Sequence, residues 1–162
     1  MDRRKALRGI ALLGAAGGLS SLPVAAAKPG SGLAESPAMQ VFKNPTCGCC
    51  TAWVQHLEKA GFTVQVSELN DTGAVRQRLG MPAQYGGCHT ATVAGYVIEG
   101  HVPAAEIRQL LSTRPAALGL AVPGMPVGSP GMEMGPRADP YAVLLISRQG
   151  AASVFARYPK KA

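Results

Sequence analysis

Charge and aromatic side chains are both scarce in this chain of 162 residues: Asp, Glu, Lys and Arg make up 15% of it, and Phe, Trp and Tyr only 5%. With 47% apolar residues and so little charge, a wholly disordered chain is excluded, and the length suits one domain better than two. No apolar run reaches the ~18–20 residues of a membrane span without Gly or Ser interrupting it. That excludes a polytopic membrane protein. There is no internal repeat and no heptad pattern. Beyond the first thirty residues the Lys and Arg are scattered, apart from Lys160-Lys161, and no basic stripe is interleaved with aromatics. Nucleic acid is therefore not supported as a partner. Glycine and proline are plentiful instead, at 20 and 13, which favours turns and extended segments.

The N-terminal segment reads as an address. Arg3, Arg4, Lys5 and Arg8 stand against one acid, Asp2, and a soft apolar stretch from Ile10 to Val24 leads to Ala25-Ala26-Ala27. This is a charged region, an apolar region and a small-residue cleavage site, so residues 1–27 are expected to be a signal peptide. Arg3-Arg4 with Leu7 and Arg8 behind them resembles a twin-arginine signal, and an ordinary secretory signal is the alternative. Its removal lowers the formal charge from +7 to +4. Residues 28–37 are rich in Gly, Ser and Pro and read as a flexible tether, leaving 38–162 as the folded domain.

Along that domain, Met39–Phe42 alternates as a first strand. Thr46 is placed to cap a helix running through Trp53, Val54, Leu57 and Ala60 to a stop at Gly61. Phe62–Leu69 alternates at period two and predicts a second strand. Asp71 or Thr72 can cap a short helix through Val75, Arg76 and Leu79, ended by Gly80 and Pro82. Thr90–Val93 and Tyr96–Val102 predict a hairpin turning at Ala94-Gly95, and Pro103 starts a third helix with Ile107, Leu110 and Leu111 on its apolar face. The stretch from Pro115 to Pro140 resists assignment. Strands at Tyr141–Ile146 and Ser153–Tyr158 close the chain, turning at Gln149-Gly150. The expected class is α/β: a thioredoxin-like mixed sheet flanked by helices, with a long Gly/Pro/Met-rich loop and a C-terminal hairpin.

All four cysteines fall in two places, Cys47-Gly48-Cys49-Cys50 and Cys88. An exported chain with an even cysteine count is normally read as a disulfide framework. Adjacent Cys49 and Cys50, one residue from Cys47, staple distant segments poorly and suit thiolates converging on one point. They lie where the first strand hands over to the first helix, and the helix dipole and unpaired N–H groups stabilise thiolate there. In a thioredoxin-like layout the loop entering the third strand faces that helix N-terminus, and Cys88 with His89 occupies that loop.

Cys47-x-x-Cys50 also fits a thiol–disulfide oxidoreductase. Such enzymes usually carry a cis-proline before the third strand, where this chain has Gly86-Gly87-Cys88, and two surplus cysteines would invite mis-pairing. The spacing favours metal. A single zinc takes four thiolates, but adjacent Cys49 and Cys50 chelate one tetrahedral ion awkwardly, whereas thiolates bridging several soft Cu(I) ions relieve that strain. Met125, Met132 and Met134 offer thioether sulfur, a good Cu(I) ligand and a poor zinc ligand; ordinary gap-filling is the competing role. His89 is a candidate ligand, His101 a weaker one, and His56 reads as a solvated helix histidine. Trp53 reads as a core anchor beneath the cysteine turn.

At these residues the chain resembles a known family. PTCGCC at Pro45–Cys50, CHTATVAGYVIEGHVPA at Cys88–Ala104 and GLAVPGMPVGSPGMEMG at Gly119–Gly135 are similar to the CopG-type copper-resistance proteins. The resemblance spans about Gln40 to Tyr158, with Ala94 standing where a glycine is common. It implies a periplasmic, thioredoxin-like protein that binds copper through Cys47, Cys49, Cys50 and Cys88. Copper ions and other periplasmic copper-handling proteins are the implied partners, with no stable membrane insertion after signal cleavage. Storage, transfer and Cu(I)/Cu(II) interconversion, the last making it a copper oxidoreductase, would all use the same ligands.

Overall fold

The computed structural model describes residues 37–160. The expected signal peptide at 1–27 and all but the last residue of the tether at 28–37 lie outside them. Among the described residues, seven strands form one mixed sheet in the order β2-β1-β3-β4-β5-β6-β7. They are β1 (Met39–Lys43), β2 (Val64–Glu68), β3 (His89–Val93), β4 (Tyr96–Glu99), β5 (Gly119–Ala121), β6 (Tyr141–Ile146) and β7 (Ala152–Tyr158). Three α-helices accompany them among the described residues: α1 (Gly48–Lys59), α2 (Thr72–Arg78) and α3 (Ala104–Thr113). None of the helices among the described residues is long and apolar enough to cross a membrane.

Two β-α-β crossovers frame the sheet. α1 links the parallel pair β1/β2, and α3 links the parallel pair β4/β5, while β3 runs antiparallel to both β1 and β4. Period-two alternation then sorts side chains to two faces. Ile98 and Leu120 join Trp53, Leu57, Ile107 and Leu110 in the larger core under α1 and α3. Their neighbours Val97 and Ala121 join Met81 and Ile146 in a smaller cluster. Full burial of side chains such as Leu57, Ile98 and Leu110 contributes roughly 1.5–3 kcal/mol each.

Glycine ends the first two helices as the sequence predicts. Gly61 (φ +84°) follows α1, with the N–H of Phe62 donating to the Leu57 carbonyl (3.0 Å) and that of Gly61 to Glu58 (2.8 Å). Gly80 (φ +77°) closes α2 in the same way, Met81 donating to Arg76 at 3.1 Å. This paired closure satisfies carbonyls that the last turn would leave bare. Asp71 caps α2 by accepting from the Ala74 N–H at 3.2 Å.

Two expectations need correction, and two elements had no sequence signal. Cys47, not Thr46, is the N-cap of α1; Thr46 instead donates both its N–H and its hydroxyl to Asn44 Oδ1, at 2.9 and 2.7 Å. The fourth strand ends at Glu99, because Gly100 turns the chain at φ +68°. The unassigned Pro115–Pro140 stretch contains β5, three wholly buried residues too short to show alternation. A 3₁₀ turn at Ala83–Tyr85, which no periodicity announced, precedes the Gly86-Gly87-Cys88 segment.

Candidate metal centre

The topology gathers the chemistry at one end of the sheet. β1 ends there and leads to Cys47, β4 ends there and leads to His101, and antiparallel β3 begins there at His89. Three segments far apart in sequence therefore converge without a long loop having to reach across.

The helix side is built locally. Cys47 caps α1 with extended backbone (φ −78°, ψ 96°) and no side-chain cap bond, and no acidic residue occupies the first turn. The positive end of the helix dipole and its free N–H groups are thus left to the sulfurs. Cys47 and Cys50 are joined as a disulfide, with Cα atoms 5.4 Å apart, while Cys49 and Cys88 are free thiols. The pairing corrects the picture of four simultaneous thiolates for this state of the site. It is a local clip across one helical turn, not the staple between distant segments that cysteine counting would suggest.

Each bonded sulfur has a free thiol against it. Cys49 Sγ lies 3.4 Å from Cys47 Sγ, Cys88 Sγ lies 3.4 Å from Cys50 Sγ, and the two free sulfurs are 3.9 Å apart. All four lie within 4.8 Å of one another. Cys50 is buried and the other three are half-buried.

Cys88 also faces two imidazoles. Its Sγ is 3.3 Å from His89 Nδ1 and 3.0 Å from His101 Nε2. His101 directs Nδ1 at the Pro130 carbonyl (2.8 Å), so Nδ1 carries the proton and Nε2 turns its lone pair to the sulfur. Such a backbone carbonyl is the usual partner that orients a metal-binding histidine. His89 is wedged between Trp53 (centroids 4.2 Å apart) and His101 (5.0 Å), and its Nε2 is buried with no hydrogen-bond partner. Trp53 is fully buried under the cysteine turn and donates its indole N–H to the Val102 carbonyl at 2.9 Å.

Burial sets the electrostatics. It pushes the Cys88 thiol up to about 12, the adjacent Cys49 adding to the effect. It pulls His89 down to about 3, with His101 second, and lowers His101 as well. Neutral imidazoles and a protonated Cys88 are what burial favours here, and a soft cation binding Cys88 would displace that proton from sulfur.

The Gly/Pro-rich segment after β5 crosses this end of the molecule. Gly131 (φ +84°) presses on the start of α1 so closely that a Cβ would sit 2.7 Å from both the Cys49 carbonyl oxygen and the Trp53 nitrogen. The three methionines differ. Met132, next to this contact, is half-buried, whereas Met125 and Met134 are 55% and 72% exposed. His56 is not simply solvated, since its Nε2 accepts the Ala104 N–H at 3.1 Å and so serves the start of α3. Sequence reasoning ranked His101 below His89, and it missed Glu99, Arg76 and Thr90 behind the cysteine loop. The signal for Glu99 was one acid in an otherwise apolar strand.

Two solved structures are similar to this chain. One, titled copper resistance protein copG form 2, is 50% identical, with TM-score 0.74, and the match covers 77% of this chain and 100% of the other. The second, form 1 of the same protein, is 51% identical, with TM-score 0.73 and coverage of 78% and 100%. Residues 85–132 match a family model described as protein of unknown function, DUF411. No curated protein matches significantly.

Proposed function

Because the chain belongs to the CopG copper-resistance family, we propose that it is an exported copper-binding protein that limits the toxicity of excess copper. The observation that carries this reading is the cluster of four cysteine sulfurs within 4.8 Å of one another. Thiolates are soft, polarisable donors that bridge, and Cu(I) tolerates low coordination numbers and shared sulfurs. Reduced Cys47, Cys49, Cys50 and Cys88 would hold more than one Cu(I). His89 and His101 supply imidazole nitrogen at the edge of the sulfur cluster, a donor that also suits Cu(II). Interconversion of Cu(I) and Cu(II), one electron per ion exchanged with an external one-electron redox partner, is a use this mixed donor set supports. Met125, Met132 and Met134 are assigned to copper entry on the covering segment. The thioredoxin-like class and the periplasmic location belong to the same reading.

Reduction precedes loading. The Cys47–Cys50 bond takes two electrons and two protons from a dithiol reductant to give two thiols, and those protons leave as copper binds. The test is elemental analysis of the protein after anaerobic reduction and incubation with Cu(I). More than one copper per chain is expected, and next to none in protein kept oxidised. One tight zinc with negligible Cu(I) uptake would overturn the assignment.

A second reading has one specific observation in its favour. The disulfide spans Cys47 and Cys50 across the first turn of α1, where the helix dipole and free N–H groups favour the thiolate that thiol–disulfide exchange uses. Turnover of a disulfide substrate by metal-free protein, lost in Cys50→Ser and kept in Cys88→Ser, would favour the oxidoreductase.

A further inference from the structure

A single buried carboxylate grips both ends of the Cys88–His89 pair. Glu99, the last residue of β4, is completely buried. Its Oε1 accepts the backbone N–H of Gly87 at 2.7 Å, and its Oε2 accepts the Thr90 hydroxyl at 2.7 Å. Arg76, from α2, donates its Nε–H to the same Oε1 at 3.1 Å. Residues 87 and 90 bracket Cys88 and His89, so the bridge spans the metal-facing dipeptide from behind.

The segment needs such a bridge. Gly86 and Gly87 have no side chains to pack, and Cys88 lies outside any helix or strand. Gly87 rests against Gly100, where a Cβ would come within 2.6 Å of the Gly100 Cα. Its backbone is otherwise tied at Gly124 N–H to Gly86 O and at Gly100 N–H to His89 O, both 3.0 Å. A buried carboxylate is unfavourable unless donors surround it, and here three do. An apolar residue at this strand end would remove that cost and take away the acceptor of the Gly87 N–H.

We propose that Glu99 is a positioning residue for the metal centre: its carboxylate, anchored by Arg76, holds the Gly87–Thr90 segment so that Cys88 Sγ stays within reach of Cys49 and Cys50. The proposal rests on the copper-binding reading for its purpose, but the clamp itself is a property of the metal-free chain. Reach is what the clamp requires, the Glu99 charge being only the smallest of the influences on the Cys88 thiol. Glu99→Asp keeps the charge and is one methylene too short to touch Gly87 and Thr90 together. Glu99→Gln keeps the length; its amide oxygen can accept from Gly87 and Arg76, and its amide nitrogen can donate to the Thr90 hydroxyl.

The experiment measures iodoacetamide alkylation of Cys88 and Cys49 in reduced, metal-free full-length protein, read peptide by peptide. With about one charge-assisted hydrogen bond lost, Glu99→Asp is expected to raise the Cys88 rate about tenfold and leave Cys49 unchanged. Glu99→Gln should stay within about threefold of wild type. Equal acceleration of Cys49 and Cys88 in Glu99→Asp would mean general loosening and overturn the assignment. So would a Glu99→Asp rate equal to wild type, or a Glu99→Gln variant as reactive as Glu99→Asp. Copper counting on the same proteins separates the two ideas. The alkylation contrast with no copper bound by wild type would remove the copper reading and leave the clamp standing. Copper bound by wild type without the contrast would do the reverse.

Discussion

The two halves of the sulfur cluster are built in opposite ways. Cys47, Cys49 and Cys50 come from one turn of continuous chain, positioned by the start of α1 and by the disulfide across it. Cys88 stands on a glycine segment packed and hydrogen-bonded against Glu99, Gly100 and Gly124, with Arg76 behind Glu99, drawn from α2, the end of β4 with the turn after it, and the segment beyond β5. The first half would survive as a local motif. The second exists only once the sheet is complete.

The sharpest way to break the comparison is to remove one sulfur from each half. If copper is shared through bridging thiolates, loss of any one collapses the cluster instead of subtracting one ion. Cys88→Ser and Cys47→Ser should then both lose most of the bound copper, to about the same extent. An unchanged metal count in Cys88→Ser would show that the turn suffices alone.

Glycines probe the same contrast without touching a sulfur. Gly48 lies inside the cysteine turn with open space where a Cβ would go, while a Cβ on Gly87 meets the backbone of Gly100. Gly87→Ala should cost about 1–3 kcal/mol and lower copper loading, as expected where backbone must shift. Gly48→Ala should change stability by no more than about 0.5 kcal/mol. Urea melts of the metal-free proteins measure both. Equal effects would mean that the two halves are equally tolerant.

Covering that site is the third element to test. Replacing Met125, Met132 and Met134 together by leucine keeps volume and apolarity while removing sulfur. Slower copper uptake with an intact fold is expected, at a several-fold effect, and Met132 should account for more of it than the exposed pair. Stopped-flow loading at wild-type rate would reduce the segment to packing.

Legibility in the sequence followed the same division. The turn was readable because helix periodicity through Trp53, Val54 and Leu57 and the stop at Gly61 located α1, and so put the cysteines at its start. The convergence of Cys88 on them was readable once strand order was assumed, since β3 had to begin where β1 ends. What stayed hidden is set by contacts across distant segments. β5 is three residues long and stands beside β4 only because α3 returns the chain there. Glu99 carries no local signal for pairing with Arg76, which lies 23 positions earlier on another element. The Cys47–Cys50 bond depends on redox state, which spacing does not encode.

The smallest effect concerns His56, about two turns further along α1 from Cys49. Its Nε2 accepts the Ala104 N–H at the first turn of α3 and can do so only while that nitrogen is unprotonated. Burial lowers its proton affinity below the ordinary histidine value, Lys59 adds to this, and Glu133 works against it. A group with lowered folded-state affinity contributes stability that is fully present above its unfolded value of about 6.5. That contribution is lost as pH falls through the lower folded value, because the unfolded chain then takes up the proton more readily. His89 and His101 are lowered too, so wild type alone does not isolate the effect. His56→Gln does, since it cannot titrate. Between pH 7.5 and 5.0 the melting temperature of metal-free wild type should fall further than that of His56→Gln. The difference should be on the order of a degree or two, because His56 is partly solvated and only one hydrogen bond is at stake. Parallel melting curves for the two proteins across that range would show that the His56–Ala104 bond does not bias the proton.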